Sequence, residues 1–202
     1  MSAALDEARE ALKARQGAGA RYDAASAPAE ALSWARLGTA YFARMLGNLS
    51  DPALEAPSAI EGWSRRDVVA AVSLEARRLA EAVGIVRGLA RAEEEGPFLL
   101  TPPAEEIRLA ATLPAQALRH LVDHAAIHLD VEWRDAEDAH WCAVITDEAG
   151  RRLAVAEMPR ERAVTLWHGA IALDAGGRAT DIPPPLRGEA LGFAARPDLL
   201  AR

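Results

Sequence analysis

The sequence predicts a mainly α-helical protein: an antiparallel four-helix bundle with a β-hairpin between the third and fourth helices. Three observations predict it. The composition is rich in alanine and poor in aromatic residues, at 5%, a balance that favours helix. Apolar residues recur at three- and four-residue spacing in four separate stretches. One stretch, WCAVITDEAGRRLAVAEMP (141–159), instead alternates around a DEAG turn, the mark of a hairpin. Four helices with medium connections bury their apolar stripes most simply against one another.

Residues 4–15 have helical character but are polar, and GAGARYDAASAP (17–28) breaks the pattern, so 1–28 reads as a loosely attached arm. The first firm helix is expected at about 29–49, where Leu32, Leu37, Phe42, Met45, Leu46 and Leu49 form a stripe flanked by Trp34 and Tyr41. Asp51 before Pro52 signals a further short helix. In the second main helix, within 62–96, Ser64 and Asp67 have capping-box spacing. Val68, Val72, Leu79, Val83 and Val86 continue its stripe, and Gly96–Pro97 is the expected stop. TPPAEEI (101–107) reads as a connection. The third helix, about 114–138, presents Leu118, Leu121, Val122, Ala125 and Leu129 to the core. Pro159 ends the hairpin, and the fourth helix follows at about 160–173. The bundle thus covers 29–176, and 177–202 is a tail with hints of a short helix.

The net charge of −7 and the lack of any basic block argue against a nucleic-acid partner. The single cysteine, Cys142, excludes an intramolecular disulfide and fits a reducing compartment; it is expected as a packed thiol in the hairpin. The N-terminus has no apolar signal core, and no apolar run approaches the roughly 20 residues that span a bilayer. The expectation is a cytoplasmic protein with no membrane partner.

His120, His124 and His128 stand four apart in HLVDHAAIHLDVEW (120–133), on one flank of the third helix. Neighbouring pairs have chelating spacing, but the outer two stand about 12 Å apart along the axis. A solvated or intersubunit face, a polar cluster inside the bundle and a metal site all remain open; His128 lies nearest the core. Ile127 and Val131 point away from the core face and suggest a homodimer. Trp63, Trp133, Trp141 and Trp167 suit the core better than a pocket, though Trp63 and Trp167 are kept as pocket candidates. Ser64 is read as a cap, not a nucleophile.

APSAIEGWSRRDVVAAV (56–72) resembles the signature of the maleylpyruvate isomerase family. The likeness continues through ATLPAQALRHLVDHAAIHLDVEWRD (111–135), GRRLAVAEMP (150–159) and RAVTLWHGAIALDAG (162–176), and covers about 30–186. It implies a DinB-like four-helix bundle, a divalent metal such as zinc, and a low-molecular-weight thiol. That thiol adds to the double bond of maleylpyruvate, the adduct rotates, and elimination gives fumarylpyruvate. It also implies a histidine on the second helix and a Glu-x-x-x-His pair on the fourth. Those positions hold Ala71, Thr165 and Gly169 here, so no metal is expected at them. Glu75, Glu161 and His168 are the substitutes a relocated site would use. The family's C-terminal domain is expected to be truncated or absent. The sequence therefore predicts a metal-free, divergent relative that has no cofactor, binds a small-molecule acid, a thiol conjugate or a protein partner, and lacks the family catalysis. An active thiol-dependent isomerase or transferase with a relocated metal, and a structural dimerisation module, are the alternatives.

Overall fold

The computed structural model describes residues 23–91 and 96–192. Most of the expected N-terminal arm, residues 92–95 just before the expected Gly96–Pro97 stop, and the end of the tail lie outside the described residues. Four main helices carry the fold: α1 (Ala29–Gly47), α2 (Arg65–Val86), α4 (Ala115–Asp135) and α6 (Met158–Ala172). Among the described residues, short helices α3 (Ala104–Ala111), α5 (Asp138–Trp141) and α7 (Arg187–Gly192) and four 3-10 turns fill the connections. α1 packs on α6 and α2 on α4, while α2 also reaches α6 and α3. No described helix is long and apolar enough to cross a membrane.

Helical phase explains what is buried. Leu32, Ala35, Phe42 and Met45 share the inward face of α1. Leu37, expected in that stripe, falls well round the helix and is 57% exposed, while Tyr41, expected as a flank, is buried. Gly38 lets α1 approach α6, because a Cβ there would lie 3.0 Å from Trp167 Nε1.

The signature stretch is a latch. Ser64 caps α2 in a full capping box with Asp67, which satisfies backbone donors at the helix start. Ala59 N–H donates to Ala172 O at 2.8 Å, and Arg65 Nε to Leu173 O at 2.7 Å. The start of α2 is thereby bonded to the end of α6. Arg66 in turn holds the Ala111 and Leu113 carbonyls.

α2 stops at Val86, before the expected Gly96–Pro97 signal. Gly88 takes φ +81°, a conformation glycine adopts at little cost, and Leu89 N–H returns to Gly84 O. The 101–107 stretch, read as a connection, contains the start of α3, which begins directly after Pro103. The hairpin is shorter than its alternating pattern: β1 (Val144–Thr146) pairs antiparallel with β2 (Arg152–Ala154), Ile145 opposite Leu153. Cys142 precedes it and is exposed, which corrects the packed-thiol expectation. Pro159 sits in the first turn of α6, where a missing N–H costs nothing, so it opens the helix instead of closing the hairpin.

The hairpin turn is tied to the segment before α3. Asp147 accepts from Leu100 N–H and Arg151 N–H, and Glu148 N–H donates to Phe98 O. The tail packs onto the bundle more closely than expected. Ile182, Leu186 and Ala190 are buried, and Tyr41 Oη donates to Asp181 at 2.7 Å.

Candidate functional site

These connections enclose a cavity of about 770 Å³ between α2 and α6, within the range of small-ligand sites. Trp63 and Ile60 from the latch, Val68 and Leu79 from α2, and Ile107 from α3 supply apolar lining. α6 supplies Glu161, Thr165 and His168, one per turn. Arg151 enters from the hairpin and Glu189 from α7.

The charged groups are committed to one another. Arg162, only 2% exposed, donates to Glu75 at 2.5 Å and to Val72 O at 2.6 Å, joining α6 to α2. Arg151 donates to Glu161 and, at 3.0 Å, to Thr101 Oγ1. Arg160 donates to Glu189 and lies 5.6 Å over the Trp34 ring. Burial raises the Glu161 pKa, Arg151 opposes the shift, and the charges of Glu75 and Glu157 push the same way as burial. The His168 pKa is lowered by burial, against an opposing hydrogen bond to the backbone carbonyl of Ala190. Its Nδ1 is 2.9 Å from Ala190 O. A carbonyl can only accept, so the proton sits on Nδ1, and in the neutral ring Nε2 is the lone-pair nitrogen.

Ala71, Thr165 and Gly169, far apart in sequence, line this same cavity. Glu75, Glu161 and His168 line it too, which places His168 inside the bundle and not at its edge. The set does not suit a divalent ion. Alanine and glycine have no side-chain donor, and Glu75 and Glu161 already face arginines. At Gly169 there is no room for a larger residue either: a Cβ would stand 2.8 Å from Val72 Cγ2 and 3.2 Å from Phe42 Cε2. Among the described residues no group of three or more His, Cys, Asp or Glu side chains is arranged to hold an ion.

The histidine row lies elsewhere. His120, His124 and His128 are exposed on α4, with the His124 and His128 rings 6.2 Å apart. His128 Nε2 stands 3.5 Å from Glu132, which also pairs with Arg87. Ile127 and Val131 are exposed on the same helix. Of the tryptophan candidates, Trp63 lines the cavity, whereas Trp167 is buried against Tyr41 and donates to Trp34 O.

Sequence reasoning missed Arg162, Arg151, Arg160 and Glu189. For Arg162 a signal existed: it is in phase with Leu166, Gly169 and Leu173, all buried. A charge in register with an apolar stripe requires a buried counter-charge.

Fold and cavity together define a helical-bundle protein with a ligand-sized interior site. The family described as mycothiol maleylpyruvate isomerase N-terminal domain matches residues 35–170, and the chain belongs to it. Two solved structures are similar. The mycothiol-dependent maleylpyruvate isomerase is 31% identical with a TM-score of 0.70, and a histidine-to-alanine mutant of it is 32% identical with a TM-score of 0.69. Each match covers 79% of this chain and 65% of the other, so this chain spans just under two thirds of their length. No curated protein matches in sequence.

Proposed function

We propose that this protein is a metal-independent member of its family that binds a small organic acid or a thiol conjugate in the cavity between α2 and α6, without the isomerisation for which its relatives are named. One observation carries the reading. The cavity persists at about 770 Å³, while Ala71, Thr165 and Gly169 stand in its wall where the family resemblance calls for donors. Trp63 and the aliphatic wall would hold the apolar body of a ligand, and Thr165 and His168 would orient its polar end. The single cysteine, Cys142, fits a reducing compartment and supports a cytoplasmic setting. The exposed Ile127 and Val131 support association of two copies through α4.

The test is elemental analysis of protein purified without chelator, followed by calorimetric titration with maleylpyruvate, fumarate and S-substituted thiols. Saturable binding by metal-free protein, lost when Thr165→Trp fills the cavity, is the expected result. One tightly held ion per chain that disappears in Glu75→Ala, together with isomerase turnover, would overturn it.

A further inference from the structure

The cavity wall between α2 and α6 carries more than a loss of donors. Three features meet at one place. Arg162, almost wholly buried on α6, reaches Glu75 and the Val72 carbonyl on α2. The Val72 side chain covers Gly169 from the α2 side, and Phe42 of α1 covers it from the other. Ala71, one residue before Val72, offers only a methyl group to the cavity.

We infer that the Arg162–Glu75 pair, with Val72 and Phe42 packed over Gly169, is a built-in cross-link that holds α2 to α6 and makes the cavity self-sufficient without an ion. This rests on the metal-independent reading above and names the device behind it. An ion shared by two helices joins them by giving each a positive charge to hold. Here α6 carries that charge covalently, as a guanidinium, and α2 answers with one carboxylate and one carbonyl. A guanidinium is always charged and its planar donors are fixed in direction, so the link does not depend on metal supply. Glu75 lines the cavity with Arg162 behind it, and so also serves as a fixed acceptor for a ligand's donor group.

A double-mutant cycle tests the inference, with Arg162→Met, Glu75→Met and the double variant followed by thermal unfolding. Glu75→Met strands the buried Arg162 charge and should lower Tm by roughly 6–20 °C, and Arg162→Met, which leaves the half-buried Glu75 unpaired, should lower it less. The double variant, with neither charge, should recover most of that loss. Losses that simply add, or single variants that unfold at the wild-type temperature, overturn the cross-link. If a single variant does not fold, a graft decides. Ala71→His/Thr165→Glu/Gly169→His should show no tetrahedral cobalt(II) absorption while it remains helical by circular dichroism, because Val72, Phe42 and Arg162 still occupy the place. One-to-one cobalt binding by that graft overturns the inference. Zinc chloride raising the wild-type Tm, or EDTA lowering it, would instead overturn the metal-independent reading, so the two fail separately.

Discussion

Replacing Gly169 by alanine sets two effects against each other, and the structure decides between them. Gly169 lies inside α6, where alanine is favoured over glycine by about 1 kcal/mol. Yet the added Cβ would lie 2.8 Å from Val72 Cγ2 and 3.2 Å from Phe42 Cε2, well inside the roughly 3.5–4.0 Å of a relaxed carbon contact. Overpacking of this kind costs about 1–3 kcal/mol. Gly169→Ala should therefore destabilise by roughly 0–2 kcal/mol in place of the helix gain. Gly84 is the control. It lies in the helical interior of α2, and a Cβ there would meet Leu89 Cδ1 at 3.6 Å, Leu89 Cβ at 3.9 Å and Glu132 Oε2 at 4.0 Å, all ordinary contacts, so Gly84→Ala should stabilise by up to about 1 kcal/mol. Adding Val72→Ala to Gly169→Ala removes the nearer clash, and the pair should couple by about 0.5–3 kcal/mol. Equilibrium urea unfolding, read by tryptophan fluorescence, gives all of these values. Stabilisation by Gly169→Ala equal to that of Gly84→Ala, with no coupling to Val72, would refute the close approach of α6 to α2.

Ser64→Ala should cost about 1 kcal/mol in the same assay, through loss of the cap on α2. Leu37→Lys should change stability by less than about 0.5 kcal/mol, because the side chain is exposed despite its place in an apolar-looking stripe. Burial raises Glu161 above its ordinary pKa, so its neutral form favours the folded state, and that contribution is present at low pH and lost as pH rises through the folded value. Glu161→Gln should gain stability relative to wild type as pH climbs through that window, and a pH-independent difference would contradict the burial. His168 is shifted the other way. Its contribution is present above the ordinary histidine pKa and lost as pH falls through the lowered folded value; an NMR titration of its ring should show protonation below the ordinary histidine range.

Much of the fold was legible in the sequence because helical phase and capping are local. The Ser64–Asp67 box, Pro52, Pro114 and the hairpin around 147–150 all act within a few residues, and each appears where its signal stands. The errors have equally local causes. Gly88 ended α2 through its left-handed backbone where Gly96–Pro97 was expected, and Pro103 opened α3 where a connection was read. The resemblance placed Ala71, Thr165 and Gly169 as counterparts of a metal site. Sequence alone could also show that they offer an ion almost nothing to bind.

What the sequence determined by itself is the four main helices, most of their inward faces, the family, and which side chains stand at 71, 165 and 169. Tertiary structure alone decided what stands in that space: Arg162 on Glu75, Arg151 on Glu161, Val72 and Phe42 over Gly169, and α7 placing Ala190 against His168. The reason is distance along the chain. Periodicity and caps are fixed by neighbours within a turn or two, whereas an ion pair between residues 87 positions apart exists only once α2 and α6 have been brought together.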